Sequence, residues 1–147
     1  MEKRAIMQMI RERLENNVRE LTNSLEAQQS ASDIDEGDTR DPEDFSQQSE
    51  SRDKVMALQI QLDTARAQLA KLEDFSGKKI NGAETGALVE TDKNWFYLGV
   101  AFSTLKVDGK ELYGVSPDTP AFNVIKGKSK GDHFKIGNNE HTVVNIL

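Results

Sequence analysis

The chain has no cysteine, so disulfides, thiolate metal sites and thiol nucleophiles are all excluded. Histidine occurs twice, at His133 and His141, with no acidic or hydroxyl partner at a telling spacing, and both read as surface or strand-end residues rather than metal ligands or catalysts. No apolar run approaches the roughly 18 residues of a membrane span. The opening residues, Met1 to Arg4, lack the apolar stretch of a signal peptide, so a cytoplasmic protein is expected. Phosphate-binding glycine loops, a Ser/His/Asp order and the HExxH pattern are likewise missing, and nothing here suggests a self-contained catalytic centre.

What the chain does have is a local excess of acid. The formal charge is -6 over 147 residues, but Asp33 to Glu50 alone holds eight acids against Arg40. The remainder, with 17 acids and 18 bases, is nearly neutral. A charge imbalance confined to one stretch points to a local task.

That stretch lies between two helical patterns. Met7, Ile10, Leu14, Val18, Leu21 and Leu25 recur at steps of three and four over residues 2 to 31, and no proline or glycine interrupts them. About 25 such residues would extend roughly 37 Å. Asn17 and Ser24 fall where a strong coiled coil would carry leucine, so this helix needs a partner. Val55, Leu58, Leu62, Ala65, Leu69 and Leu72 then keep a strict alternation of threes and fours over residues 43 to 75. Two narrow apolar stripes joined by a polar loop of some ten to fifteen residues predict an antiparallel helical hairpin with the acids at its turn.

Helix initiation accounts for part of the acidity. Asp41 is a good N-cap, Pro42 is favoured at the first helical position, and Glu43 and Asp44 suit the positive end of the helix. It leaves Asp33, Asp35, Glu36 and Asp38 unexplained, because crowded carboxylates repel unless a cation joins them. The turn reads as an incomplete metal site or as bait for a basic surface.

After a linker at 77–85 containing Gly77 and Gly82, the pattern changes to that of strands. Ala87 to Glu90 and Trp95 to Phe102 read as strands, with Trp95, Phe96 and Tyr97 in the core. Asp108-Gly109 marks a two-residue hairpin turn between Thr104–Val107 and Glu111–Val115. Thr119-Pro120 starts a short helix through Ile125 that ends at Gly127, and a last hairpin turns around Gly137-Asn138-Asn139. An α+β chain follows: a helical hairpin over 1–76, then antiparallel strands with one short helix over 86–147.

Two runs carry a family resemblance. Gly37-Asp38-Thr39-Arg40-Asp41-Pro42-Glu43-Asp44-Phe45 resembles the hairpin tip of the bacterial GreA/GreB transcript cleavage factors. Asp118-Thr119-Pro120, followed by Gly127-Lys128 and Gly131-Asp132, resembles that family's C-terminal signature with its spacing kept, and Gly86-Ala87-Leu88-Val89 adds to the likeness. The resemblance implies an FKBP-like C-terminal domain that docks on RNA polymerase through Asp118, Thr119 and Pro120, while the hairpin enters the secondary channel. It further implies that Asp38 and Asp41, assisted by Asp44, hold a Mg²⁺ ion shared with the polymerase against the RNA 3′ end of a backtracked complex. Phe45 would pack the tip. The protein would then stimulate the polymerase's own nuclease rather than act as an enzyme alone, bind Mg²⁺ weakly in isolation and act as a monomer. Its net acidity argues against strong binding of free nucleic acid. Pro42 and the surplus acids Asp33, Asp35 and Glu36 depart from the family pattern, and the surplus is a feature of anti-Gre factors. The alternative reading is therefore a non-catalytic channel regulator.

Overall fold

The computed structural model describes residues 2–34 and 42–147, and for 31–34 and 42–49 it describes the backbone alone. The chain is α+β, with two N-terminal helices followed by a six-stranded mixed sheet. Helix α1 covers Lys3–Ile34 and α2 covers Pro42–Phe75. Strands β1 (Leu88–Thr91), β2 (Asn94–Leu98), β3 (Leu105–Val107) and β4 (Lys110–Val115) precede the short helix α3 (Pro120–Ile125), and β5 (His133–Ile136) and β6 (Asn139–Ile146) complete the sheet. None of the described helices is long and apolar enough to cross a membrane.

Both helices outrun the sequence expectation. α1 continues to Ile34 because no breaker appears before Gly37, and α2 begins at Pro42, whose fixed φ suits a first helical residue. The interval between them is seven residues, 35–41, in place of the ten to fifteen expected.

The chain divides into two compact units. One contains residues 15–67, whose described elements are the adjoining parts of the two helices. Leu25 of α1 and Leu62 and Ala65 of α2 are buried there. Asn17 and Ser24, placed on the seam by the heptad reading, are exposed, while Val18, Leu21 and Leu25 carry it.

The other unit contains residues 1–14 and 68–147. Its sheet has the strand order β3-β4-β2-β1-β6-β5, and here an expectation is corrected: the sheet is not wholly antiparallel. β2 and β4 pair in parallel, with Trp95 opposite Leu112, while the other four pairings are antiparallel. The reason lies in the β3–β4 hairpin. β4 is the longer strand and buries Leu112 and Val115, so it takes the inner position, and three-residue β3 with exposed Lys106 is left as the edge. The turn itself matches its sequence signal: Asp108 and Gly109 both have positive φ, at 51° and 79°, as a two-residue primed turn requires. The last hairpin closes on Gly137 and Asn138, and Asn139 already pairs with Ile136.

β2 also stops earlier than expected. Gly99, at φ 125°, turns the chain out of the sheet after Leu98, and a Cβ there would meet the Phe75 ring and Thr85 at 3.0 Å.

The central strands bury both faces. Leu88, Trp95, Tyr97, Val107 and Leu112 pack with Ile6, Ile10 and Leu14 of α1 and Leu72 of α2. Val89, Phe96, Leu98, Val115, Phe134 and Val143 pack on the opposite side with Phe122 and Ile125 of α3. Period-two alternation therefore alternates between two cores rather than between core and water, which is why Trp95 to Leu98 reads as unbroken apolar sequence. In this unit Arg11 of α1 pairs with Glu73 of α2. Its Nε lies 2.7 Å from Glu73 Oε1, out of line for a hydrogen bond, and its guanidinium donates to Glu73 Oε2 at 3.2 Å.

Among the described residues three buried side-chain polar atoms lack a hydrogen-bond partner: Arg11 Nε, Trp95 Nε1 and the Tyr97 hydroxyl. Tyr97 is fully buried, and burial pushes its ionisation well above the ordinary tyrosine value. An unmade hydrogen bond costs the desolvation of the group and returns nothing. Tyr97→Phe is therefore expected to leave stability unchanged or raise it by about 1 kcal/mol, as measured by urea unfolding. A loss above about 1 kcal/mol would mean that the hydroxyl has a partner, such as a buried water.

Candidate functional site

The two runs singled out in the sequence meet different fates in the structure. Asp38 and Asp41 lie in the interval 35–41, outside the described residues, as do the expected N-cap at Asp41 and the acids Asp35 and Glu36. The backbone at Asp44 and Phe45 is helical, in the first turn of α2 directly after Pro42. What is fixed is their setting: a seven-residue interval between helices of 32 and 34 residues. Among the described residues no three His, Asp or Glu side chains come together as a metal site.

The second run is fully described. Ser116 donates its hydroxyl hydrogen to Asp118 Oδ1, and this bond, with a smaller contribution from the charge of Lys71, holds the Asp118 carboxyl below the usual carboxylate range. The carboxylate is exposed and stays charged at neutral pH. Thr119 has the extended backbone of an N-cap, but its hydroxyl does not cap α3; it donates back to Ser116 O at 2.7 Å. Its backbone N–H also reaches Ser116 O, at 3.1 Å. The turn is thus tied to itself twice, and Pro120 opens α3 with the φ its ring imposes. The outcome is a rigid, exposed presentation of Asp118 and Pro120.

Gly127, Lys128, Gly131 and Asp132 prove to be a structural frame. Gly127 has φ 80° and donates to Ala83 O at 2.9 Å, which ties the end of α3 to the segment before β1. Asp132 accepts the Ser129 N–H at 2.8 Å on Oδ2, and Gly131 donates to Val143 O at 2.8 Å, which carries the chain into β5. The kept spacing of this run has a physical basis: each end closes a turn.

The expected place of the histidines holds for His133, exposed at the start of β5, and is corrected for His141. His141 is buried, stacked on Phe134 with ring centroids 5.2 Å apart and edge-on to Phe96 at 5.4 Å. Its Nδ1 lies 3.2 Å from Thr91 Oγ1. Thr91 Oγ1 accepts from the backbone N–H groups of Lys93 and Asn94 and also lies 2.9 Å from Asn94 O, so the direction of its bond to His141 follows the tautomer of the imidazole. His133 also has a hydroxyl partner, Thr142 Oγ1 at 2.9 Å, its neighbour across the β5–β6 register. Both partners are cross-strand, and a linear reading has no signal for them without the pairing.

Burial, aided by the charge of Lys93 and opposed by that of Asp92, depresses the His141 pKa. The unfolded chain then binds a proton more readily than the folded one. The stability contributed by neutral His141 is fully present above the unfolded histidine value of about 6.5 and is lost as pH falls below it toward the folded value. The thermal midpoint is expected to decline between about pH 7 and pH 5, and His141→Gln should flatten that decline. An equal slope in the variant would assign it to other groups.

No family model, no curated protein and no solved structure matches this chain.

Proposed function

We propose that the chain is a Gre-type transcript cleavage factor, a protein that binds the secondary channel of RNA polymerase and lends carboxylates for cleavage of backtracked RNA. The observation that carries this reading is the placing of Asp38 and Asp41 in a seven-residue interval between two helices of more than thirty residues each. A helix of that length spans about 50 Å at 1.5 Å per residue. On this reading residues 1–76 form a coiled-coil hairpin with an acidic tip, 77–85 a linker and 86–147 an FKBP-like docking domain. The rigid turn bearing Asp118, Thr119 and Pro120 would supply the polymerase contact.

The donor set suits the proposed ion. Mg²⁺ prefers hard oxygen ligands, keeps several waters and is commonly held by one or two carboxylates together with substrate phosphates. Asp38 and Asp41 would hold it jointly with the polymerase and orient it toward the RNA, with Asp44 in the first turn of α2 as an assistant. When bound there, the ion would supply charge to activate water and to stabilise the leaving oxygen. Two carboxylates without their polymerase partners bind it weakly, so the isolated protein is not expected to be a metalloprotein.

The test is a stalled, backtracked elongation complex from the cognate polymerase with 3′-labelled RNA and Mg²⁺, with and without this protein. Rapid release of short 3′ fragments supports the reading. A second reading, a channel regulator without cleavage activity, is favoured by Pro42 at the start of α2 and by the surplus acids before it. It predicts polymerase binding with no fragment release.

A further inference from the structure

At the ends of the two helices within the sheet-bearing unit lies a cavity of about 480 Å³. One face of the first turns of α1 supplies Lys3, Arg4, Met7, Gln8 and Arg11, and the end of α2 with the following turn supplies Phe75, Ser76, Gly77 and Lys78. Four of the nine lining residues are cations and none is an acid. Glu73 balances Arg11. Among the described residues Lys3, Arg4 and Lys78 have no ion-pair partner. Lys3 is partly buried, and that burial lowers its pKa, the mark of an ammonium short of a counter-charge.

General basicity does not explain this, because outside Asp33 to Glu50 the chain is nearly neutral, with 17 acids against 18 bases. Three unbalanced cations around one cavity exceed what a single phosphate neutralises. They match a ligand carrying several negative charges close together. The apolar atoms of Met7 and Phe75, the latter packed against Gly99 on its other side, offer a wall for a flat uncharged moiety, and Gln8 and Ser76 add hydrogen-bonding groups. The volume falls within the range of small-molecule clefts, about 300–1,000 Å³.

We propose that this cavity is a binding site for a nucleoside polyphosphate, with Lys3, Arg4 and Lys78 on the phosphates and Met7 and Phe75 against the base. The proposal stands apart from the polymerase reading and is tested without polymerase. Calorimetric titration of the full chain with ATP, in EDTA so that the phosphates are free of metal, is expected to show saturable binding of one equivalent. Lys3→Gln combined with Lys78→Gln should weaken it about tenfold or more, while Lys54→Gln, at an exposed site in the other unit, should leave it unchanged. Tripolyphosphate should bind more weakly than ATP, since it lacks the base. Both lysines can be replaced without touching the core, and an unchanged thermal midpoint verifies the fold. As a second readout on the unaltered protein, ATP should shift the Met7 methyl resonance. Absence of heat and of a Met7 shift up to about 5 mM ATP overturns the proposal. So does equal weakening by Lys54→Gln, which would mean diffuse charge, or equal affinity for tripolyphosphate, which would remove the base. Tighter binding of a single-stranded RNA oligomer than of ATP would overturn it in favour of a polymer site.

Discussion

Replacing Asp38 and Asp41 together by alanine is expected to return fragment release from a backtracked complex to the rate of polymerase alone. Charge stabilisation by a catalytic metal is worth several kcal/mol, and each 1.36 kcal/mol is a factor of ten, so the loss should exceed about 100-fold. Single replacements should lose less of the rate and should be partly rescued by raised Mg²⁺, because on the proposed mechanism one carboxylate would still hold the ion. Asp44→Ala should lose least. Polymerase binding should survive in every case, since Asp118, Thr119 and Pro120 lie elsewhere in the chain. Measuring affinity and cleavage on the same variants separates the two readings. A double variant that binds and does not cleave, beside a parent that does both, fits the cleavage factor. A parent that binds and does not cleave fits the regulator, and Pro42→Ala is then the next variant to examine.

The second large effect concerns the fold. Gly114 is the penultimate residue of β4, opposite Tyr97, and a Cβ built there would come within 2.5 Å of Val100 O and 2.6 Å of the Phe102 ring. Backbone cannot swing away as a flexible side chain can, so Gly114→Ala must part β4 from the 99–102 segment or displace Phe102. The expected cost is about 3 kcal/mol or more, equivalent to a fall of roughly 6–12 °C in the thermal midpoint for a chain of this size. Gly109→Ala is the contrast. It has open space around its Cβ and suffers only from its φ of 79°, so about 1 kcal/mol is expected. If Gly114→Ala proves as mild as Gly109→Ala, the close approach of Val100 to β4 is wrong.

Much of the architecture is legible in sequence because local signals suffice for it. The Asp108-Gly109 turn, the Thr119-Pro120 helix start and the apolar run at Trp95 to Leu98 each depend on neighbours within a few residues. What escapes depends on pairing. Nothing in Lys110 to Val115 says that it pairs in parallel with β2, because a hairpin can offer either strand to the sheet. The same holds for Thr91 beside His141 and for the unpartnered Tyr97 hydroxyl, both products of positions far apart in the chain. Ile6, fully buried, is passed over because the heptad frame drawn through Met7 misses the face that the sheet selects. The candidate tip is a different case. Asp38 and Asp41 are plain in the sequence and lie outside the described residues, so their role rests on chemistry and on the resemblance.

The two-sided burial of the central strands also orders the chain's synthesis in time. Ile6, Ile10 and Leu14 leave the ribosome before any of the strands they cover, and their partners Leu88, Trp95 and Leu112 are made about eighty to a hundred residues later. At about 5–20 residues per second that is a wait of several seconds or longer, with an apolar face bare on the nascent helix. Trp95 and Tyr97 of β2 in turn stay uncovered on that face until the first-made helix returns to them. The start of the chain and the middle of the sheet therefore mature together, whereas the opposite core, with Phe122, Phe134 and Val143, is assembled from residues made close in time.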